Sequence, residues 1–235
     1  MKVNLCGVGL DCIYREGVYC KMKIFTIHSP SHEVYFKNMA ENLRLVDSKH
    51  TLHSKVVRQV CNPNFGSSDI KRFYYLKVIY ILELLYQEDE PFIFSDVDCY
   101  FFKDFHLDLG RYYDFFAQYE KQIYGRHTVC SGFMLLKPNN KTRKMFVWIL
   151  KNLHRFNGDQ EALNAYLFLH PFTMKYKMLP KTYYSINFDN GNKVWNGEHV
   201  DVTIKNMTMI HLHWTIGEEN RMKLLEMVKQ QIKEK

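Results

Sequence analysis

Hydrophobic and polar positions follow two different periods along the chain. Short apolar runs rich in β-branched and aromatic residues predict strands, and apolar residues at every third or fourth position predict amphipathic helices. The predicted strands are residues 23–29, 50–60, 92–94, 114–119, 131–137, 174–179 and 207–214. The predicted helices are residues 32–45, 69–87, 138–154, 158–168 and the segment from 218 onwards. Strands that alternate with helices indicate an α/β domain with a mostly parallel central sheet flanked by helices.

The composition is that of a folded globular protein. Hydrophobic residues make up 46% and charged residues 24% of the 235 positions, which excludes an intrinsically disordered chain. There is no run of 18 uncharged apolar residues, so we expect no transmembrane segment. Residues 1–22 contain charges and lack the apolar core of a secretory signal. We interpret them as an N-terminal extension of unknown role before one domain over residues 23–235, and we expect a cytoplasmic protein.

The net charge indicates the class of partner, and the cysteine spacing indicates whether a zinc site is present. A formal charge of +7 suits an anionic partner such as a nucleotide phosphate. The basic residues are scattered and no nucleic-acid-binding module is present, so we expect no nucleic acid partner. The six cysteines form no C-x-x-C pair, which disfavours a zinc site and fits reduced, mostly buried thiols. Nothing in the sequence predicts the oligomeric state.

Two carboxylates follow the apolar strand at residues 92–94. In an extended segment, Asp96 and Asp98 would point to one face about 6.5–7 Å apart, a span that one divalent cation can bridge. A solvated turn is the alternative, because such pairs are common by chance. Apolar residues on both sides favour the metal site, since close carboxylates repel each other without a cation. Mn²⁺ or Mg²⁺ held there could neutralise a diphosphate leaving group.

Two histidines near the C-terminus are further candidate ligands. His211 and His213 would share one face of a predicted strand, and imidazole binds Mn²⁺. The alternative is that both histidines make ordinary hydrogen bonds and bind no metal. Gly217 permits a tight turn before the last helix, which carries Arg221 and Lys223, both suited to phosphate.

Four sequence blocks occur in a characteristic order. They are residues 94–98 (FSDVD) with residues 102–104 (FKD), residues 131–140 (SGFMLLKPNN), Asp159-Gln160 with Asn164, and His211-x-x-Trp214-x-x-Gly217. On these blocks the chain resembles the nucleotide-diphospho-sugar glycosyltransferases of the GT-A fold, a Rossmann-like α/β fold. The resemblance is strongest to the group that includes plant α-xylosyl- and arabinosyltransferases. Small glycosyltransferases of large algal viruses have a similar compact build, so a viral source, and with it a location in the host cytoplasm, is an open alternative.

The resemblance implies roles for individual residues. Asp96, Asp98 and His211 would hold Mn²⁺ or Mg²⁺, while His213 stands where the family often has Asn. Asp159 and Gln160 would be the catalytic pair, beside the donor hydroxyls and the anomeric carbon. The donor-binding candidates are Thr26, Ile27 and His28 at the base, Asp96 at the ribose and diphosphate, Ser131 and Gly132 at the sugar, and Gly217 and Lys223 at the phosphates. Lys77, a lone charge on an apolar helix, joins them as a donor contact, although snorkelling to the surface also explains it.

The implied activity is sugar transfer from a nucleotide-diphosphate sugar, expected to be a UDP-sugar, to a hydroxyl of a glycan or glycoprotein acceptor, with retention at the anomeric carbon. One alternative is an inverting enzyme with Asp159 as the base. A second is a metal-dependent phosphohydrolase acting on a nucleotide sugar, and a third is a binding module without catalysis. The aromatic residues Tyr183, Tyr184, Phe188 and Trp195 either stack against the acceptor sugar or pack in the core.

Overall fold

The computed structural model describes residues 21–46, 49–58, 68–123, 126–185, 195, 206–213, 215 and 218–233. Its strands are β1 (Lys23–His28), β2 (Thr51–Val56), β3 (Phe92–Ser95), β4 (Cys99–Phe101), β5 (Phe115–Ile123), β6 (Arg126–Leu136), β7 (Tyr176–Met178), β8 (Tyr183–Ser185) and β9 (Met209–His211). Its α-helices are α1 (Glu33–Leu45), α2 (Ser68–Gln87), α3 (Asn140–Asn152), α4 (Asp159–Leu169) and α5 (Glu218–Lys233). Short 3₁₀ helices at Pro30–His32 and Leu153–Arg155 precede α1 and follow α3.

The main sheet has the strand order β2-β1-β3-β6-β5-β7. Strand β1 is parallel to β2 and β3, and β5 is parallel to β7. Only β6 among the described strands of this sheet runs antiparallel to its neighbours, β3 and β5. The prediction of a mostly parallel sheet is therefore confirmed.

Side chains alternate between the two faces of this sheet, as the twofold strand period requires. From β3, Phe92 and Phe94 pack with α2, α3 and α4, whereas Ile93 faces the opposite side with Met39 and Leu43 of α1. Burial on both faces explains why Phe92, Ile93 and Phe94 form a continuous apolar run rather than an alternating pattern. Helices therefore flank both faces of the sheet, as predicted.

A second, smaller sheet has the order β4-β9-β8. Strand β9 is parallel to β8 and antiparallel to β4. The side chain of Asn42 joins this sheet to α1, because its amide donates to the Phe101 carbonyl oxygen (2.7 Å) and its oxygen accepts from the Phe101 amide (2.6 Å). The sequence predicted a strand at the position of β9 but neither β4 nor β8.

Several expectations concern residues that lie outside the described ones. They are the extension at residues 1–20, four of the six cysteines, Phe188, Trp214 and Gly217. The two described cysteines, Cys99 and Cys130, are buried free thiols. Across the described ranges, no helix has the length and apolarity needed to cross a bilayer.

Candidate active site

A cleft of about 220 Å³ opens where β1 and β3 end. The turn after β3, the beginning of α4 and the inner side of α2 surround it, and residues near the C-terminus close it. The polar and charged side chains among its lining are those of His28, Ser29, His32, Tyr74, Lys77, Asp96, Asp98, Ser131, Asn157, Asp159, Gln160, Glu161, His211, His213, Thr215 and Arg221.

The two carboxylates of the D-x-D motif occupy a turn between β3 and β4. The expected extended geometry is therefore wrong, because the chain must reverse here to enter the second sheet. The turn still directs both side chains towards His211, since β4 pairs with β9 and places Cys99 opposite His211. His211 Nε2 lies 3.2 Å from Asp98 Oδ1 and 3.7 Å from Asp96 Oδ2. One ligand atom from each of these three residues falls within a 4.8 Å span.

The charges at this cluster shift the titration of all three groups. Burial alone would raise the pKa of Asp98, but His211 and Arg221 hold it well below its ordinary range. Burial raises the pKa of Asp96, and the charges of Lys77 and His211 only partly oppose the effect. The pKa of His211 is raised because Asp98 and Asp96 outweigh burial. The two carboxylates therefore attract positive charge, which either a proton on His211 or a metal ion can supply.

Gly132 leaves room for the His211 ring because it has no side chain. A Cβ atom at this position would lie 2.0 Å from His211 Cε1, so any other residue would displace the imidazole. Gly132 is absent from the cleft lining among the described residues, and its contribution there is to make room for His211. Its carbonyl oxygen also accepts a hydrogen bond from the Asp96 amide (2.7 Å), which ties β6 to the turn.

Lys77 is buried at the centre of a charge cluster, with 3% of its surface exposed. Its Nζ lies 2.9 Å from Asp96 Oδ1, 3.0 Å from Asp159 Oδ2 and 3.5 Å from Ser131 Oγ. The snorkelling interpretation is therefore wrong. Burial would lower the pKa of Lys77, but the charges of Asp159 and Asp96 raise it well above its ordinary value, so the side chain stays cationic.

The first turn of α4 carries the expected catalytic pair into the cleft. Asp159 begins the helix, whose amino end has a positive partial charge that favours a carboxylate. Gln160 Oε1 accepts a hydrogen bond from the Ser131 amide (3.3 Å). Asn164 anchors the helix to β6, because its side chain accepts from the Val129 amide (2.9 Å) and donates to the Val129 carbonyl oxygen (2.8 Å).

The remaining donor-binding candidates occupy three different environments. Ile27 and His28 line the cleft, and His28 is held by Glu33 (2.7 Å) and stacked on Phe36. Thr26 is fully buried in β1, with its side chain outside the described lining. Lys223 is exposed on α5 and is likewise not a described lining residue.

Arg221, rather than Lys223, is the basic residue that α5 brings to the cleft. Its Nε lies 3.8 Å from Asp98 Oδ2, and its guanidinium lies over the Tyr35 ring. The described aromatic residues Tyr183, Tyr184 and Trp195 are buried in the hydrophobic cores, so packing rather than acceptor stacking accounts for them.

Sequence reasoning missed several residues of the site. Tyr74 lines the cleft, and burial together with the charge of Asp159 raises the pKa of its hydroxyl well above the ordinary value. Cys130 Sγ lies 3.3 Å from His211 Nδ1, and burial raises the pKa of its thiol. Glu120 contacts His213, whose own pKa is lowered by burial and by His211. The spacing of these residues gives no signal, because each belongs to a different element from its partner.

Comparison with known proteins identifies the family. The profile described as nucleotide-diphospho-sugar transferase matches residues 36–225. Among solved structures, a glycosyltransferase involved in the glycosylation of the major capsid of PBCV-1 is similar, with a TM-score of 0.57 and 11% sequence identity over 89% of this chain and 100% of that one.

The glycosyltransferase GlyE of Streptococcus pneumoniae TIGR4 is less similar in structure. It has 16% identity and a TM-score of 0.47, and the match covers 73% of this chain and 48% of GlyE. A comparison with curated protein sequences gives no match. Because the family profile spans most of the chain and the α/β fold agrees with it, the chain belongs to the nucleotide-diphospho-sugar transferase family and is a glycosyltransferase.

Proposed function

We propose that this glycosyltransferase depends on a divalent cation, Mn²⁺ or Mg²⁺, bound by Asp96, Asp98 and His211. The observation that carries the proposal is the convergence of these three side chains from the turn after β3 and from β9. Two carboxylate oxygens and one imidazole nitrogen form a donor set that suits Mn²⁺. When bound, the cation supplies positive charge to the diphosphate as it leaves the sugar.

The protein's own residues hold the rest of the donor. Arg221 lies beside Asp98 and can donate hydrogen bonds to a phosphate oxygen. The end of β1, at Ile27 and His28, is proposed to contact the base, which we expect to be uracil. Ser131 and Gln160, hydrogen-bonded to each other through the Ser131 amide, are proposed to border the sugar.

We propose that transfer occurs with retention of configuration. An inverting enzyme needs a carboxylate that takes the proton of the acceptor hydroxyl, and Asp159 is the candidate. One oxygen of Asp159 is held by the ammonium group of Lys77 at 3.0 Å. This pairing supports a carboxylate that fixes a donor hydroxyl, while a phosphate oxygen of the leaving group takes the acceptor proton.

The proposed acceptor is a hydroxyl of a glycan or glycoprotein. The similar glycosyltransferase is involved in the glycosylation of the major capsid of PBCV-1, which supports a protein-linked glycan as the acceptor. We propose a cytoplasmic location, and the buried free thiols of Cys99 and Cys130 support a reducing compartment.

A thermal-shift screen of sugar nucleotides with MnCl₂ tests the donor and the metal together. A correct donor at 100 times its dissociation constant should stabilise the protein by about 2.7 kcal/mol, and EDTA should abolish the effect. Asp98→Asn should lower transfer on the order of 10²-fold, because it removes one preorganised charge, while the exposed Asp89→Asn serves as the control. Full transfer activity in EDTA would contradict the metal assignment.

The product distinguishes the remaining alternatives. The anomeric configuration, determined by NMR coupling constants, should match that of the donor sugar. An inverted product would identify Asp159 as the general base. Cleavage of the sugar nucleotide at the same rate with and without every tested acceptor would favour the phosphohydrolase.

A further inference from the structure

Glu120 is a buried carboxylate that the proposed reaction does not use. It lies on β5 with 1% of its surface exposed. It accepts a hydrogen bond from Ser185 Oγ (3.2 Å), and His213 Nε2 lies 3.2 Å from each of its oxygens. Burying a carboxylate is unfavourable, and an apolar residue of similar volume often serves stability as well or better. Stability alone therefore does not account for a carboxylate at this position.

The partner of Glu120 lies directly against the proposed metal ligand. The rings of His213 and His211 are stacked, with centroids 4.3 Å apart and an interplanar angle of 27°. His213 thus connects Glu120 to His211 through one hydrogen bond and one ring contact. Gly132 lies close to the same imidazole, so the ring has little space to rotate without moving His213.

The hydrogen bond made by Nδ1 of His211, the ring nitrogen that would not bind the metal, is weaker than the corresponding bond in most metal sites. Coordination through Nε2 requires the proton to be on Nδ1, which then donates to an acceptor. That acceptor here is Cys130 Sγ at 3.3 Å, and sulfur accepts hydrogen bonds weakly. A carboxylate or carbonyl oxygen, the usual partner, would orient the ring more firmly. The orientation of His211 therefore depends more on the stacked His213 ring.

We propose that Glu120, acting through His213, is a positioning residue that fixes the imidazole of His211 for metal coordination. The inference rests on the proposed function, because it takes His211 to be a metal ligand. His213 donates its Nε2–H to the carboxylate of Glu120, and this bond sets the plane against which the His211 ring packs. The carboxylate thereby acts on the metal site without contacting the metal or the donor.

Two conservative variants separate the charge that strengthens the Glu120–His213 hydrogen bond from the His213 ring. Glu120→Gln keeps the shape and one acceptor oxygen but removes the charge. His213→Asn keeps a donor near Glu120 but removes the stacked ring. The affinity of the full chain for Mn²⁺, measured by titration calorimetry with MnCl₂, should fall about 10-fold in each variant. His127→Asn, which alters an exposed histidine packed on Tyr119, is the control and should bind Mn²⁺ with wild-type affinity.

The double variant tests whether Glu120 acts through His213. Adding Glu120→Gln to His213→Asn should weaken Mn²⁺ binding little beyond the single change, whereas independent effects would multiply. The thermal midpoint of each variant shows whether the fold is retained. Wild-type Mn²⁺ affinity in either single variant, or multiplied effects in the double variant, would overturn the inference.

The same measurements separate this inference from the proposed function. A wild-type protein that binds Mn²⁺ but keeps full transfer activity in EDTA would contradict the proposed function and leave the positioning role in place. Wild-type and variant proteins that bind Mn²⁺ equally would contradict the positioning role alone. A wild-type protein that binds no Mn²⁺ would overturn both.

Discussion

Lys77 occupies a position on α2 whose neighbours, Leu76 and Val78, pack in the hydrophobic core. A lysine in such surroundings remains charged only because Asp96 and Asp159 lie on either side of its ammonium group. The same contact holds together two parts of the cleft, since Asp96 follows β3 and Asp159 begins α4. The buried ammonium group of Lys77 therefore links Asp96, a proposed metal ligand, to Asp159, a proposed donor contact.

Lys77→Met should destabilise the protein by about 2–3 kcal/mol at pH 7. The variant leaves the carboxylates of Asp96 and Asp159 without the Lys77 ammonium group between them. Because Asp96 is partly exposed, the loss of stability is smaller than for a fully buried pair. Because the pKa of Lys77 is raised, its side chain stays charged throughout the range below its ordinary pKa, and titration of Lys77 itself removes its contribution only at alkaline pH. Urea unfolding at pH 7 and pH 5 measures the effect.

The pH dependence of that deficit is part of the prediction. Protonation of the carboxylates removes their repulsion, so the stability deficit of Lys77→Met should shrink as pH falls. Lys77→Met combined with Asp159→Asn should recover part of the lost stability at pH 7. A deficit that is unchanged by either treatment would show that Lys77 stabilises the fold by packing rather than by charge.

Gly132→Ala should impair the metal site by a steric route. The added methyl group would lie 2.0 Å from the His211 ring, which must then move away from Asp98. We expect a stability loss of about 1–3 kcal/mol from overpacking together with a marked loss of Mn²⁺ affinity. Titration calorimetry and denaturant unfolding measure the two effects separately. Wild-type Mn²⁺ affinity in this variant would contradict the assignment of His211 as a ligand.

The candidate residues that lie on recognisable motifs could be predicted from the sequence. Asp98 and His211 were found by their motif, and the structure brings both into one cluster. Glu120 could not be found in this way, because it follows Tyr119 and precedes Lys121 in a stretch that resembles a solvated strand end. Its burial arises only when β8 and the residues after β9 pack over β5, which no local pattern encodes.

At the scale of elements, α3 illustrates how a local signal fixes a boundary. Asn139 is the N-cap, and its side chain accepts hydrogen bonds from the Lys141 and Thr142 amides at 2.9 and 3.0 Å. The Thr142 hydroxyl completes a capping box with the Asn139 amide. The start of this helix could be predicted from the sequence for this reason.

Asn139→Ala should lower the free energy of unfolding by about 1 kcal/mol, because two amides at the start of α3 lose their acceptor. The neighbouring Asn140→Ala is the matched control, since the exposed Asn140 is not the cap residue. Chemical denaturation of both variants gives the difference. Equal stability of the two variants would show that the cap contributes nothing measurable.

The elements that the sequence did not predict are short and depend on tertiary pairing. Strands β4 and β8 have three residues each, and both are defined by their pairing with β9 in the small sheet. β5 and β6 extend beyond their predicted ends because they pair with each other along most of their length. Long helices such as α2 carry enough periodic positions to be recognised without a partner.

At the scale of the whole molecule, the cleft is assembled from distant parts of the chain. β1 contributes His28, the turn after β3 contributes the two aspartates, and the C-terminal region contributes His211 and Arg221. The C-terminal contribution depends on α5, whose buried Leu224 and its neighbours pack against the small sheet. Donor binding should therefore be sensitive to how firmly α5 packs, even at positions that do not touch the cleft.

Leu224→Ala tests this dependence. The residue is fully buried on α5, one turn away from Arg221, so the cavity should cost about 2–4 kcal/mol of stability and loosen the helix that presents the guanidinium. Ile149→Ala on α3 removes a comparable buried side chain in a different hydrophobic core and is the matched control. Both variants should lose similar stability in denaturant, whereas only Leu224→Ala should weaken nucleotide binding, measured as the dissociation constant of UDP in the presence of MnCl₂. Equal UDP affinities in the two variants would show that Arg221 does not contribute to donor binding, or that α5 holds it in place without Leu224. Either result would leave Lys77 and the residues after β3 as the candidates for the phosphate contact.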